Sequence, residues 1–246
     1  MQFKNKVVLV TGGSSGLGFA IAKAFASQGA IVIITGRRQY QLNVATGMLG
    51  QKSSGFRMDI SNGVELAELF SHIREIHGRI DVLIANAGTG LVEPLGAITE
   101  SGFDNLFATN VKGTTFTVQG ALPLMGKGGS VVIIGSTASF NPGAGLGVYG
   151  ATKAALRALV RSWILDIKGS GVRINLLSPG PVNTQSLHDV LGENAEQVIN
   201  AFSEKSTLGR IGEAHEIGEA ALFLGSDASS YINGIELFAD GGASQV

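Results

Sequence analysis

A chain of 246 residues with 44% hydrophobic and 15% charged side chains carries ample apolar material for a single α/β domain spanning residues 1–246, and 36 glycines against 5 prolines point to tight βα turns rather than to disorder. A net charge of −1 offers nothing to nucleic acid or to an anionic membrane surface, and the lack of cysteine excludes disulfides and thiol chemistry. The first apolar run, Val7-Val8-Leu9-Val10, is too short for the core of a signal peptide, and the uncharged stretch from Gly128 to Thr152 is broken by Asn141, Pro142 and several glycines, so a cytoplasmic location without a membrane span is expected.

In chain order, a strand over Lys6–Thr11 runs into the turn Thr11-Gly12-Gly13-Ser14-Ser15-Gly16-Leu17-Gly18, and a helical pattern follows over Phe19–Gln28. Glycines let backbone approach a phosphate closely, and the start of the next helix offers unpaired N–H groups and a positive dipole end, so a nucleotide pyrophosphate is expected there. A second strand, Ala30–Thr35, ends at Gly36-Arg37-Arg38, and the first 58 residues hold seven of the 18 basic side chains and no acid. A free ribose 2′-OH is usually held by Asp or Glu at this point, whereas guanidinium groups suit a 2′-phosphate, so the pattern favours NADP(H) over NAD(H).

Further strands are expected over Gly55–Met58, Ile80–Ala85, Ser130–Gly135, Val172–Leu177 and Ile235–Phe238, with helices most clearly over Val64–His77, Phe103–Leu124 and Val148–Ile167. Apolar runs alternating with helical patterns predict a doubly wound, Rossmann-like parallel sheet of about seven strands with helices on both faces. The stretch from Asn183 to Thr207 reads as an irregular insertion beyond a strand end, placed to act as a lid that mixes Leu187, Val190, Leu191, Val198, Ile199 and Phe202 with polar residues.

Candidate chemistry lies where the fifth strand ends, at Ser136, and on the following helix, where Tyr149 and Lys153 share a face four residues apart. A phenol is a poor acid or base near neutrality, and an ammonium beside it would favour the phenolate and lower its pKa. Ser136 would polarise a carbonyl while Tyr149 supplies the proton. His72, His77, His188 and His215 lack metal-ligand spacing, so no metal is expected; His188 alone lies in the lid. Trp163, on the tyrosine helix, reads as core or subunit-contact packing.

These motifs, in this order, resemble the short-chain dehydrogenase/reductase family along the whole chain. Thr11-Gly12-x-x-x-Gly16-x-Gly18 resembles its cofactor turn, Asp59-Ile60 its adenine-contacting pair, Asn86-Ala87-Gly88 its Asn-Ala-Gly motif and Asn110 its helix asparagine. Ser136, Tyr149 and Lys153 match its catalytic residues, and Ser178-Pro179-Gly180-Pro181-Val182-Asn183-Thr184 resembles its nicotinamide-side loop. The resemblance implies a tetrad: Tyr149 as acid/base, Lys153 as its pKa modifier and ribose ligand, Ser136 as hydrogen-bond donor to the carbonyl, and Asn110 as anchor of a water-linked proton relay. It implies cofactor contacts from Gly12, Ser14, Ser15, Gly16, Leu17, Gly18, Arg37, Arg38, Asp59, Ile60, Asn86, Ala87, Gly88, Tyr149, Lys153, Pro179, Gly180, Val182 and Thr184, and a homotetramer. Many NADP-dependent members also place a basic residue inside the glycine turn, where this chain has Ser14 and Ser15, so Arg37 carries most of the phosphate reading and Arg38 is equally suited to opening the next helix. Asp240-Gly241-Gly242 resembles a C-terminal family signature that suits a turn and assembly element. The leading reading is an NADPH-dependent carbonyl reductase (or, reversed, an alcohol dehydrogenase), within which a 3-oxoacyl thioester, with Lys127 and Lys168 toward an acidic carrier, is the main competitor to a free ketone; the intact tetrad argues against a catalytically silent nucleotide-binding regulator, and the stretch after Thr184 leaves little room for the substrate domain of a sugar-nucleotide epimerase or dehydratase.

Overall fold

The computed structural model describes residues 1–192 and 195–245, and all their side chains except those of Ser186 and Val190. Its order begins β1 (Val7–Val10), α1 (Gly16–Ser27), β2 (Ile31–Gly36), α2 (Gln39–Leu49), β3 (Ser53–Arg57), α3 (Gly63–Ile76), β4 (Val82–Ala85) and α4 (Glu100–Phe107). It continues with α5 (Thr114–Ala121), β5 (Ser130–Ile134), α6 (Gly147–Asp166), β6 (Arg173–Pro179), β7 (Val182–Asn183), α7 (Gln185–Leu191), α8 (Ala195–Lys205), β8 (Gly212–Glu213), α9 (Ala214–Gly225) and β9 (Glu236–Ala239).

Seven strands form one sheet in the order β3-β2-β1-β4-β5-β6-β9, every pair parallel, while β7 and β8 make a separate two-stranded ladder. The strand order reverses between β1 and β4, so the chain leaves these neighbours in opposite directions and opens a crevice at their C-terminal ends. Successive side chains point to opposite faces, and both faces are dry. Leu9, Ile33, Leu83 and Val131 pack with Leu69, Ile73, Val118 and Leu156 from α3, α5 and α6. Val8, Val32, Ile84 and Val132 pack with Ile21, Phe25, Ala221 and Leu224 from α1 and α9. Each such fully buried aliphatic side chain stabilises the fold by about 1.5–3 kcal/mol.

Local chemistry sets the helix starts. The side chain of Asn62 accepts from Val64 N at 3.0 Å to start α3, Thr99 Oγ1 accepts from Gly102 N at 3.0 Å to start α4, and Glu213 with Glu216 forms a capping box on α9. The pattern expected as one helix over Phe103–Leu124 is instead α4, a π-helical turn over Ala108–Gly113, α5 and a 3₁₀ turn over Leu122–Leu124. The supposed irregular insertion contains two helices, α7 and α8; residues 193 and 194, which fall inside it, lie outside the described residues, as does the side chain of Val190.

Candidate active site

Elements from both halves of the sheet converge on the crevice. After β1 the backbone turns through Gly12, at φ +65°, and Gly16, at φ +54°, into α1. A Cβ at Gly18 would overlap the carbonyl oxygen of Gly12 and the side-chain amide of Asn86, so only glycine lets the helix start sit this close to the turn. Asn86 ties the two sides of the crevice together by donating from Nδ2 to Thr11 O at 2.9 Å and to Gly12 O at 3.2 Å, while Thr11 Oγ1 accepts from the backbone N–H groups of Asn86 and Ala87 at 3.0 Å each. Ser15 occupies the cap of α1 in an extended conformation without a side-chain capping bond, and no acid lies in the first turn. The leading N–H groups of α1, around Gly16, Leu17 and Gly18, are therefore not taken by a cap, and this cradle fits a pyrophosphate. The side chains of Leu17, Ala87, Val182 and Ile60 pack into the two cores, which leaves their backbone for any contact with a nucleotide.

At the end of β2, Arg37 Nη1 lies 3.8 Å from Asp59 Oδ2 with its side chain 75% exposed. Arg38 is the exposed N-cap residue of α2 and makes no capping bond with its side chain. Burial of Asp59, which by itself raises a carboxyl pKa, is outweighed by hydrogen bonds from the Ser61 hydroxyl at 2.7 Å and backbone N–H at 2.9 Å together with the Arg37 charge, so Asp59 titrates below its ordinary range.

Across the crevice, β5 ends one residue before Gly135 and Ser136, and Ser136 caps the short 3₁₀ turn Thr137–Ser139 by accepting from Ala138 N at 3.2 Å. Helix α6 approaches this turn through Gly150, where a Cβ would lie 2.6 Å from Ala138 O. This close approach brings Tyr149 to Ser136. Lys153 is 5% exposed, its Nζ donating to Ile134 O at 2.9 Å and lying 5.8 Å from the centroid of the Tyr149 ring. Burial lowers the Lys153 pKa to about 8. Burial also pushes the Tyr149 hydroxyl above its ordinary value, and the hydrogen bond with Ser136, which favours the phenolate, only partly offsets this. The expectation that Lys153 lowers the tyrosine pKa is thus corrected: in this arrangement desolvation dominates both groups, and Ser136 rather than Lys153 is the group that pulls the phenol down.

Asn110 sits in the π turn, 1% exposed. Its Oδ1 accepts from Thr89 N at 2.8 Å, and its Nδ2 donates to Thr89 O at 2.9 Å and to Thr152 Oγ1 at 3.1 Å. Thr152 Oγ1 in turn donates to Tyr149 O at 2.7 Å. The side chain therefore clamps the strand end after Gly88 to the tyrosine helix, a role for Thr89 and Thr152 that sequence spacing alone does not disclose. The wider π turn shifts backbone carbonyls off the regular i→i+4 ladder, and π turns are frequent at functional sites for this reason.

On the third side, Gly180 N donates to Ala239 O at 3.1 Å beyond Pro179, and Thr184 Oγ1 accepts from Leu187 N at 3.2 Å as the cap of α7. His188, on α7, contacts Asn183 Oδ1 through Nε2 at 2.9 Å. A cleft of about 550 Å³ near Leu208, Arg210, Phe238 and Asp240 lies away from the tetrad, beside β8 and β9. Asp240 accepts from Gly242 N and Ser244 N at 2.9 Å each, and Gly241 O accepts from Thr207 N at 2.9 Å and Thr207 Oγ1 at 2.8 Å, so the C-terminal signature anchors the far end of the insertion. Among the described residues no cluster of three or more His, Cys, Asp or Glu is placed to hold a metal, and no helix is long and apolar enough to cross a membrane.

Comparison with known proteins agrees with this architecture. The family model described as enoyl-(acyl carrier protein) reductase matches residues 12–244. A protein of Sarocladium schorii named as an oxidoreductase is 42% identical over 247 residues, covering 100% of this chain and 98% of its own. The meso-2,3-butanediol dehydrogenase of Serratia marcescens is 33% identical over 248 residues, covering 99% of this chain and 96% of its own. Among solved structures, a short-chain dehydrogenase of Burkholderia cenocepacia in complex with NADP superposes with a TM-score of 0.91 at 29% identity, with 99% of each chain covered. With the nucleotide crevice, the seven-stranded parallel sheet and relatives named as oxidoreductases matching it from end to end, the chain belongs to the short-chain dehydrogenase/reductase family of oxidoreductases.

Proposed function

We propose that this protein reduces a ketone to a secondary alcohol with NADPH, and catalyses the reverse oxidation of the alcohol. The observation that carries this reading is the meeting of Ser136, Tyr149 and the buried Lys153 at the end of β5, opposite a phosphate cradle whose neighbouring strand ends in Arg37 and Arg38. Bound NADPH supplies the hydride that the carbonyl carbon receives. Ser136 donates a hydrogen bond to the carbonyl oxygen, and Tyr149 gives that oxygen its proton, balancing the charge that arrives with the hydride. Lys153 binds the cofactor ribose and, with a pKa of about 8, exchanges protons with the phenol and solvent at working pH. Asn110 holds the turn through which a water-linked relay reaches Lys153. The glycine turn from Gly12 to Gly18, Asp59-Ile60, Asn86-Ala87-Gly88, Pro179, Gly180, Val182 and Thr184 line the cofactor. Arg37 provides the preference for a 2′-phosphate, supported by the lack of an acid at the end of β2 and by the NADP in the Burkholderia relative.

Helices α7 and α8 form the lid. None of the described α8 side chains is fully buried, while Val198, Ile199 and Phe202 are half-buried along one side, which suits a segment that closes over substrate and reopens. Exposed Phe103 and Phe116 on α4 and α5 and the free edge of β9 support a homotetramer, checked by light scattering. One second reading places the carbonyl in a 3-oxoacyl thioester; the matching family model, described as enoyl-(acyl carrier protein) reductase, shares with it the acyl thioester and not the reacting group. Following NADPH consumption with free aryl and alkyl ketones beside 3-oxoacyl thioesters distinguishes these two; NADPH binding without turnover on either class contradicts both.

A further inference from the structure

An ion pair distant from the tetrad in sequence joins the elements that carry it. Glu236, on the edge strand β9, has a side chain only 10% exposed. Its Oε1 accepts from Ser139 Oγ and from Ser178 Oγ at 2.7 Å each, and its Oε2 accepts from Arg157 Nε. Arg157 Nη2 donates to Ser139 Oγ at 2.7 Å, so the Ser139 hydroxyl accepts from the arginine and donates to the glutamate. Each partner touches a different part of the site. Ser139 closes the 3₁₀ turn that begins at Ser136, its backbone N–H bonding Ser136 O at 2.9 Å. Arg157 lies one helical turn beyond Lys153 and two beyond Tyr149 on α6. Ser178 immediately precedes Pro179 and Gly180 at the end of β6.

We infer that Arg157 and Glu236 are positioning residues that hold the Ser136 turn, the Tyr149 helix and the Pro179-Gly180 loop in one register, an inference that rests on the reductase assignment of those three parts. Burying a charged pair of this kind costs several kcal/mol in desolvation, and apolar residues of similar volume would stabilise the fold as well or better. What an apolar pair does not supply is two oriented oxygens that fix three hydroxyl and guanidinium groups at once. Through Ser139 the network sets where Ser136 points, hence the hydrogen bond on the phenol and on the substrate carbonyl; through Ser178 it sets the bed of the nicotinamide.

The two serines separate these effects, because Ser139→Ala and Ser178→Ala each delete one hydroxyl and leave the ion pair in place. Only three tyrosines are present, and Tyr40 and Tyr231 are 76% and 102% exposed, so the half-buried Tyr149 gives a distinct titration in ring-¹³C tyrosine NMR without any turnover. Ser139→Ala should move the Tyr149 titration upward and lower kcat about tenfold while NADPH affinity by calorimetry stays within about twofold. Ser178→Ala should weaken NADPH about three- to tenfold with the Tyr149 titration unmoved. Glu236→Gln, which sets an amide against Arg157, should show both changes, and if it fails to fold the serine variants decide alone. If both serine variants keep the wild-type titration and NADPH affinity, whatever their thermal stability, the network only supports the fold and the inference is overturned. A Tyr149→Phe variant that still turns over would overturn the reductase assignment instead, and the titration and binding results would still judge the network.

Discussion

Lys153 Nζ donates a 2.9 Å hydrogen bond to the carbonyl oxygen of Ile134, the last residue of the strand that leads to Ser136. One buried ammonium thus fixes the distance between the tyrosine helix and the serine turn before any ligand arrives.

Replacing Tyr149 by Phe removes the hydroxyl and keeps the ring, so packing on α6 survives. Loss of a positioned acid costs about 10²- to 10⁴-fold, and kcat should fall to the far end of that range while circular dichroism and NADPH binding remain as in the wild type. Retention of more than about a tenth of kcat contradicts the assignment of Tyr149.

Burial of Lys153 has a signature in stability. Its pKa is lowered from 10.5 to about 8, so between these values the unfolded chain binds a proton that the folded chain does not, and stability rises with pH. Below about 8 both states are protonated and the contribution is flat. Urea midpoints should show the wild type gaining on the order of 2 kcal/mol relative to Lys153→Met between pH about 8 and about 10. A constant difference between the two proteins over that range would mean that Lys153 is not held in a desolvated site. The upward shift of Tyr149 acts in the opposite sense, and only above its ordinary value of about 10.

Arg37 is tethered to Asp59 at 3.8 Å through a side chain that remains largely open to solvent, so its guanidinium is available to a 2′-phosphate. Arg37→Ala should weaken NADPH by about ten- to a hundredfold and NADH by little, as charge-assisted contacts to phosphate are worth about 1.5–3 kcal/mol. Calorimetry with both nucleotides checks this; equal losses would remove the basis for NADP preference.

If α7 and α8 close over substrate as proposed, trimming their apolar side chains should change selectivity. Phe202→Ala or Leu191→Ala is expected to alter the ratio of kcat/KM among bulky and small ketones by about tenfold with NADPH affinity retained. Unchanged ratios accompanied by a lower Tm would show that these side chains only pack.

Much of this was legible in the sequence because it is local. Apolar runs such as Val131-Val132-Ile133-Ile134 mark a strand buried on both faces, the glycine turn and Ser136 stand at strand ends where α/β folds place ligands, and Tyr149 and Lys153 lie four apart on the helix that follows. Boundaries shift where pairing rather than hydrophobicity decides: β3 starts at Ser53, opposite Val32, although its side chains there are largely solvent-facing. The π turn at Asn110 is invisible to a 3.6-residue period because it adds one residue to an otherwise regular pattern. Helices α7 and α8 were hidden because α7 is short and α8 has no fully buried described side chain. Burial of Lys153 and Tyr149, which reverses the expected direction of the phenol pKa, depends on Gly150 letting α6 settle against the serine turn. The pairing of Arg157 with Glu236 spans 79 residues and has no local pattern at all.

Glu236 belongs to the last strand of the sheet in chain order, and its two serine partners lie 97 and 58 residues before it. The phosphate cradle, by contrast, is assembled from β1, β2 and β4 and is complete by Gly88. As the polypeptide leaves the ribosome, the phosphate cradle therefore emerges long before the carboxylate that aligns the reacting groups. The order of synthesis separates the phosphate cradle from the groups that seat the nicotinamide beside the proton donor, and the edge strand is the step that joins the two.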